Sequence, residues 1–296
     1  MKIFDCTTFY SEHMMMDVRF NILDKHVHKF IVVESLFSHS GEKKKLNFDI
    51  NNYPKFKDKI IYLVIEKEPE DIILSNGAIK QSAKRLNSLK RIYQSYDFMQ
   101  KGIETASSND LILLSDNDEI PNLDSYKFKN SKKDLFIFKQ LFFYYKFNLL
   151  YDLMPWHGSR GCKKKNLRSF SWLKNLKNKK YPFWRIDTYF SKYKSSNLDI
   201  IDDGGWHFTH LKTPEELFIK LKNFGHHDEF DISGLTLDDV TKKIEGKKVF
   251  YNHFVDQTNP NKWEYDYMLK KIENKFLPDH LIENKNKYKE WFDQHD

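Results

Sequence analysis

The sequence predicts an α/β fold in which a mostly parallel, Rossmann-like sheet is flanked by helices. Short apolar segments typical of buried strands alternate, between residues 2 and 116, with segments of helical periodicity. The chain has 296 residues, of which 40% are hydrophobic and 31% charged, so it is long enough and apolar enough to bury a substantial core. The second half is less regular than the first.

The first half alternates strands and helices in the order β-α-β-loop-β-α-β. The predicted helices cover residues 13–25 and 78–106. The predicted strands are KIFD (2–5), KFIVVES (29–35), KIIYLVIE (59–66) and DLILLSD (110–116). Strands that alternate with helices in this way usually pair in parallel, with helices on the faces of the sheet.

The second half carries fewer clear signals. DLFIFKQLFFYY (134–145) predicts a strand, and residues 152–182 predict a basic, loop-rich region. DDGGWHFTH (202–210) predicts a Gly-Gly turn before a short aromatic segment. TPEELFIKLKNFG (213–225) predicts a helix with a capping box formed by Thr213 and Glu216 and an end at Gly225. The charged tail from residue 259 is predicted to be helical.

Charge and cysteine content constrain the compartment and the partners. The net charge is +7, so the surface can attract phosphates, nucleic acid or an anionic membrane. Cys6 and Cys162 are too far apart in sequence to suggest a disulfide framework or a zinc set, which favours a reducing compartment. MKIFDCTTFY lacks the apolar region of a signal peptide, and no segment approaches 18 apolar residues. We therefore expect a cytoplasmic protein, with peripheral attachment to the inner face of a membrane as an alternative.

One strand ends in a cluster of carboxylates, LILLSDNDEIPN (111–122). Asp116 and Asp118 are two residues apart, so in extended backbone they point to the same side, while Asn117 is expected to point away. Ligands of open α/β sheets bind beyond the carboxyl ends of the strands. Two close carboxylates repel each other unless a cation lies between them, and Mg²⁺ or Mn²⁺ prefers such oxygen ligands. The alternative is a polar turn that ends at Pro121.

Several segments together resemble a known family. These are KIFDCTTFYSEHMMMDVRFNIL at the start, FIVVES, SDNDEIP, GWHFTHLKTPEELFIKL with the helix that runs to HHDEF, and FLPDHLIENKNKYKEWF at the end. In this order and spacing they resemble glycosyltransferase family 17, the β-1,4-mannosyl-glycoprotein N-acetylglucosaminyltransferase family. The resemblance spans nearly the whole chain.

The resemblance implies an inverting sugar transferase of the GT-A type. The expected donor is a nucleotide sugar, UDP-GlcNAc in particular, bound through Mn²⁺ or Mg²⁺, and the expected acceptor is a glycan, glycolipid or glycoprotein. Residues 1–125 would form the nucleotide-sugar-binding half, and residues 126–258 the acceptor-binding and catalytic half of the same domain. Residues 259–296 would form a C-terminal helical tail.

The residue roles follow from these expectations. Asp118 is the first choice for a metal ligand, with Asp116 as a second ligand or a contact to ribose. His207 and His227 are candidates for a further metal ligand or a diphosphate contact. Glu229 is the first candidate for the general base, and Asp203 is the second. Donor contacts are assigned to Asp5, Thr7, Phe9 and Glu34 at the strand ends and to Arg91 on the long helix, and stacking on sugars is assigned to Tyr144, Trp156 and Trp206. Each of these side chains could instead be a structural or solvated residue.

Two other classes of function compete with this interpretation. A metal-dependent phosphohydrolase or nuclease could use the same acidic strand end, although a second metal would need more acids. A non-catalytic protein that binds carbohydrate or nucleic acid would not need Asp116 and Asp118. We expect no nucleic acid partner.

Overall fold

The structure, a computed structural model, describes residues 1–74, 80–223, 230–231, 233–255, 260–263 and 265–294. Strands in these ranges join into one mixed sheet. The strands are β1 (Ile3–Thr8), β2 (Lys29–Ser35), β3 (Ile60–Ile65), β4 (Leu111–Ser115), β5 (Glu119–Pro121), β6 (Leu135–Tyr144), β7 (Leu149–Leu150), β8 (Trp156–Lys163), β9 (Leu198–Ile201), β10 (Gly205–Thr209) and β11 (Lys270–Lys271). The α-helices are α1 (His13–Leu23), α2 (Gln81–Phe98), α3 (Tyr126–Asn130), α4 (Phe170–Lys174), α5 (Asp187–Phe190), α6 (Pro214–Asn223), α7 (Leu237–Glu245) and α8 (Asp279–Glu283).

The centre of the sheet is parallel. β3, β2, β1 and β4 lie side by side in that order, and each neighbouring pair is parallel. β8 then runs antiparallel between β4 and β6, so the two predicted halves of the chain share one sheet. The predicted α/β class, with a mostly parallel sheet flanked by helices, is confirmed. The carboxyl ends of β1, β2 and β4 meet at one edge, which we call the carboxyl edge.

Alternation of side chains along the strands gives each face of the sheet its own core. Phe4, Ile31 and Ile112 pack on the face that α2 covers. Val32 and Leu113 pack on the opposite face, in the cluster that includes the apolar residues of α1. Because successive strand residues point to opposite faces, the continuous apolar runs of the sequence correspond to strands buried on both sides.

The four strands predicted in the first half are confirmed, and β2 has the predicted bounds. The long helix predicted over 78–106 is α2 followed by a 3₁₀ turn over Met99–Ile103. The capping box of α6 is confirmed, because Thr213 Oγ1 accepts from the Glu216 amide at 3.3 Å and Glu216 Oε2 accepts from the Thr213 amide at 3.1 Å. Gly225, predicted to end this helix, lies outside the described residues.

Two predictions for the second half are wrong. The region 152–182, predicted to be a loop, contains β8 in the middle of the sheet. Two glycines and an arginine interrupt the apolar pattern that would have predicted this strand. A Cβ on Gly158 would lie 2.3 Å from Gln140 Oε1, so this glycine is packed closely against β6. The tail from residue 259, predicted to be helical, has short 3₁₀ turns, β11 and the five-residue α8 in its described part. In the described part of the chain, no helix has the length and apolar character that a membrane crossing requires.

A Gly-Gly junction places β10 against two other strands. β10 is parallel to β6 and antiparallel to β5, so the residues before it must pass close to both. Gly205 has φ +106°, and a Cβ there would lie 2.2 Å from the Ile120 carbonyl oxygen. A Cβ on Gly204 would lie 2.4 Å from the Lys139 amide nitrogen. The predicted turn is therefore one that only glycine can form at these positions.

Substitution of Gly205 tests this junction. We expect Gly205→Ala to lower the free energy of unfolding by about 2–4 kcal/mol, because a strained φ and a backbone collision act together. Gly234→Ala is the matched control, since Gly234 has φ +69° with nothing within 4 Å of the added Cβ, and we expect it to lose about 1 kcal/mol. Urea denaturation of both variants measures the difference, and equal losses would contradict the close approach.

Candidate active site

A cavity of about 300 Å³ lies at the carboxyl edge. Its walls come from the residues that follow β1, β2 and β4 and from side chains of α2 and α6. The lining residues include Thr8, Phe9, Glu12, Ser35, Lys44, Arg91, Tyr96, Asp116, Asn117, Asp118 and Lys220. The cavity thus combines several acidic and basic side chains at the place where open α/β sheets bind ligands.

A buried arginine shapes the acidic loop at this edge. Arg19 of α1 donates from Nε and Nη2 to the two carboxylate oxygens of Asp5, at 2.8 and 2.5 Å, and both side chains are fully buried. Its Nη1 donates to the carbonyl oxygens of Glu119, at 2.6 Å, and Asp116, at 3.3 Å. Asp5 was predicted to contact the nucleotide-sugar donor. This prediction is corrected, because both carboxylate oxygens of Asp5 bind Arg19.

Asp116 is held by groups on two helices. Its carboxylate accepts from the Tyr96 hydroxyl at 2.9 Å and from Lys174 Nζ at 3.0 Å. Burial alone would lower the pKa of Lys174, but Asp116 and Glu119 raise it above its ordinary value, so the ammonium stays charged. Because each oxygen of Asp116 already has a partner, this geometry does not favour the predicted direct ligation of a metal by Asp116.

Glu119 lies behind the loop and supports it. Its side chain is buried, Oε2 accepts from the Asp116 amide at 3.0 Å, and Oε1 accepts from Trp156 Nε1 at 2.7 Å. Lys174 Nζ lies 3.6 Å from the same Oε1. Glu119 therefore fixes the start of the acidic loop and positions Trp156 beside it.

Asp118 faces the cavity next to His207. The Asp118 Oδ1 and His207 Nε2 atoms are 3.6 Å apart, and the Phe208 amide donates to the Asp118 carbonyl oxygen at 2.8 Å. Burial alone would raise the pKa of Asp118, but His207 above all, with Lys220 and His210, lowers it far below its ordinary value. Asp118 is thus an ionised carboxylate throughout the physiological pH range.

His207 is clamped between two aromatic rings. It stacks on Trp156 with ring centroids 4.6 Å apart and on Phe142 with centroids 4.8 Å apart. Its Nδ1 is buried and has no hydrogen-bond partner within the part of the chain that the structure describes. No group of three or more His, Cys, Asp or Glu ligands is found among the described residues, so Asp118 and His207 form a two-residue set.

Two cavity residues were missed or misplaced by the sequence analysis. Glu12 follows β1, and its Oε2 accepts from Asn117 Nδ2 at 2.8 Å and from the Ser11 amide at 3.0 Å. Burial alone would raise the pKa of Glu12, but Lys220 and Lys212 lower it below its ordinary value. Asn117 was expected to point away, yet it is buried, lines the cavity and holds Glu12. The available signal for Glu12 was an acidic residue in the short segment between β1 and α1.

The other residues predicted to contact the nucleotide-sugar donor divide into two groups. Phe9 and Arg91 line the cavity, although Arg91 also binds Glu68 through Nε and Nη2 at 2.7 and 3.0 Å. Thr7 is buried within β1, and its hydroxyl donates to the Thr8 carbonyl oxygen at 3.3 Å. Glu34 is also fully buried. The predicted donor contacts of Thr7 and Glu34 are therefore corrected to structural roles.

The carboxylate of Glu34 organises the loop after β2. It accepts from the amides of Asn47 and Phe48, at 2.8 and 3.0 Å, and also binds Lys44. The Tyr62 hydroxyl donates to it at 2.8 Å. With four donors around it, this carboxylate fixes the loop that brings Lys44 to the cavity.

The predicted acceptor residues lie in three different surroundings. Trp156 stacks on His207, which in turn lies beside Asp118. Tyr144 is fully buried in a separate core cluster with its hydroxyl on His253 Nε2, so a stacking role for Tyr144 is corrected to core packing. Trp206 points away from the first cavity into a second one, and its Nε1 donates to the Phe276 carbonyl oxygen at 2.7 Å.

The candidate base Asp203 is not part of the described cavity. Asp203 is exposed next to the Gly-Gly junction, where it accepts from Asn122 Nδ2 at 3.0 Å, and it is not among the residues that line the cavity. Its prediction as a base is not supported by this position. Glu229 and His227 lie outside the described residues.

Comparison with known proteins gives one family match. The family model described as Glycosyltransferase family 17 matches residues 1–167, which is more than half of the chain. The matched region contains β1 to β8, the acidic loop and Trp156. A search of curated proteins gives no match.

The buried His210 and the partly buried His253 predict a pH dependence of stability. Burial above all, then His207 and Lys262, lowers the pKa of His253 to about 4, and burial likewise lowers that of His210 well below its ordinary value. As pH falls below about 6.5, protons bind the unfolded chain first, so stability present above that pH is lost on approach to pH 4. Urea unfolding at two pH values measures this loss. Between about pH 7 and pH 5, we expect the free energy of unfolding of His253→Gln to fall by about 2 kcal/mol less than that of the wild type. Equal losses would contradict the lowered pKa of His253.

Proposed function

The chain belongs to glycosyltransferase family 17 and is a glycosyltransferase, and on this basis we propose that it is a metal-dependent, inverting enzyme of the GT-A type. The donor in this proposal is UDP-GlcNAc, bound in the cavity at the carboxyl edge. The acceptor is a hydroxyl group of a glycan, glycolipid or glycoprotein. The observation that carries the proposal is the pairing of Asp118, which lines that cavity, with the buried His207 next to it.

The arrangement of the sheet supports a nucleotide site at this edge. The strand order β3-β2-β1-β4, all parallel, brings three strand ends and the second half of α2 around one cavity. Ligands of such sheets bind beyond the carboxyl ends of the strands. The cavity of about 300 Å³ lies at the lower end of the volumes typical of small-molecule sites.

The pair of Asp118 and His207 fits a divalent cation. An ionised carboxylate oxygen and an imidazole nitrogen 3.6 Å apart can both contact one ion, and this donor set suits Mn²⁺. A site with two protein ligands leaves positions for substrate phosphates. When bound, the ion would supply positive charge against the diphosphate as its bond to the sugar breaks.

The chain's own cations would bind the rest of the diphosphate. Lys220 lines the cavity close enough to lower the pKa of both Asp118 and Glu12, and Lys44, which also pairs with Glu34, lines the same space. Lys174 instead pairs with Asp116 and Glu119. Cations such as Lys220 and Lys44, which are in place before the reaction, stabilise the leaving group without reorganisation. Such groups typically contribute about 10²–10³ in rate each.

Inversion requires a base on the acceptor side. The base removes the proton of the acceptor hydroxyl, the oxygen attacks C1 of the sugar, and UDP leaves from the opposite face. Trp156, held by Glu119 and stacked on His207, remains our candidate for stacking on a sugar next to the proposed metal. Glu229 remains our candidate for the base.

Nucleotide binding tests the donor and the metal together. We expect UDP-GlcNAc with Mn²⁺, at about 100 times its Kd, to raise the melting temperature by about 5 °C, because a ligand that binds only the folded chain stabilises it. GDP- and CMP-sugars, or UDP-GlcNAc in chelator, should give no such shift. A shift of equal size without metal, or with GDP- or CMP-sugars, would contradict the proposal.

Substitution of Asp118 tests the catalytic role of the pair. Asp118→Asn should lower the rate of sugar transfer about 10²–10³-fold, because a ligand to the charge that stabilises the leaving group is lost. The matched control is Asp238→Asn on α7, an exposed carboxylate paired with Lys242, which should transfer sugar at the wild-type rate. UDP release in the presence of an acceptor measures both. An unchanged rate in Asp118→Asn would rule out this site.

A further inference from the structure

A short segment after α4 exposes five large side chains to solvent. Phe183, Trp184, Ile186, Tyr189 and Phe190 are between 70% and 85% exposed. We call these five residues the aromatic patch. Scattered single apolar residues are normal on a surface, but a contiguous apolar patch usually marks an interaction site.

Basic residues surround the aromatic patch. Residues 177–194 contain six lysines and arginines against one acid, Asp187. Asp187 is paired with Arg185 at 2.7 Å and with Lys194 at 2.8 Å. Lys179, Lys180 and Lys192 are exposed beside the patch. The surface around the apolar side chains is therefore strongly positive.

The segment is closed and anchored rather than an extended tail. The Lys177 amide donates to the Tyr193 carbonyl oxygen at 2.8 Å, which joins the two ends of the segment. Trp172 Nε1 of α4 donates to the Lys192 carbonyl oxygen at 2.7 Å. The Thr188 hydroxyl donates to the Arg185 carbonyl oxygen at 2.7 Å, and Thr188 is buried beneath the patch. The fold thus presents the aromatic patch on an ordered loop.

The same helix links this loop to the cavity. Lys174, the last residue of α4, contacts Asp116 at 3.0 Å, and the basic segment begins three residues later. A surface that binds through the aromatic patch would therefore lie near the acidic loop.

We propose that the aromatic patch and its lysines dock the protein on an anionic membrane surface. Aromatic rings with apolar neighbours partition into the interface between headgroups and acyl chains, and nearby lysines are attracted to anionic lipids. A single-stranded nucleic acid would need ring faces on which bases stack, whereas Phe183 and Trp184 pack edge to face at 83° and Ile186 has no ring. The proposal is independent of the donor and metal assigned above. It does imply that the acceptor is carried at a membrane.

Vesicle sedimentation with the full chain tests the docking. We expect the protein to sediment with phosphatidylcholine vesicles that contain roughly one-third phosphatidylglycerol, and far less with phosphatidylcholine alone. Trp184→Ser with Phe190→Ser should weaken binding at least about tenfold, since two inserted rings are lost. Lys179→Ser with Lys180→Ser should also weaken it at least about tenfold. Tyr126→Ser on α3, where Tyr126 is 82% exposed, is the matched control and should bind like the wild type.

Several results would overturn the proposal. One is the absence of sedimentation with anionic vesicles at about 0.1 M salt. Another is equal binding by all variants, which would place the membrane contact elsewhere. A dimer that the Trp184→Ser and Phe190→Ser variant converts to a monomer in sedimentation velocity would identify a second copy of the chain as the occupant. Oligonucleotide binding lost in that variant, without vesicle binding, would identify a nucleic acid. Unchanged thermal unfolding of the variants shows that they are folded.

Discussion

The carboxyl edge depends on the buried guanidinium of Arg19. It joins α1 to β1 through both oxygens of Asp5 and joins α1 to the acidic loop through the carbonyl oxygens of Asp116 and Glu119. Removal of one partner of such a pair leaves a buried charge uncompensated, which typically costs about 3–5 kcal/mol. Arginine suits this position because its planar fork of donors can reach a carboxylate and two carbonyls at once. The backbone of the acidic loop is thus fixed before any ligand arrives.

With the backbone fixed, neighbouring charges decide the role of each acid. Asp116 and Glu119 share the Lys174 ammonium and also accept from Tyr96 and Trp156, so both carboxylates already have partners within the protein. Asp118 instead lies at the cavity beside His207, which the rings of Trp156 and Phe142 hold in place. One short acidic motif therefore contains supporting carboxylates and a carboxylate available to a cation. The proposed metal site follows from this division.

The sequence was sufficient to predict the strands of the first half, because long apolar runs identify strands that are buried on both faces. It also located the carboxyl edge, because Asp5, Glu34 and Asp116 lie at or near the ends of the segments predicted for β1, β2 and β4. It could not show which of these acids is neutralised: Asp5 meets Arg19 from the neighbouring helix, and Glu34 meets the amides of a loop that follows it. β8 was missed because its glycines and Arg160 pack against neighbours that no local pattern reveals. Side-chain partners across the sheet are tertiary information, and alternation alone does not contain them.

Hydrogen exchange in the acidic loop tests most directly whether Arg19 fixes it. The variant Asp5→Leu with Arg19→Met removes both charges together and avoids a single unpaired ion. The account predicts that peptides covering residues 113–122 exchange at least about tenfold faster in this variant, relative to peptides from β2 and β3 as an internal reference. Equal relative exchange in the wild type and the variant would contradict the central role of Arg19.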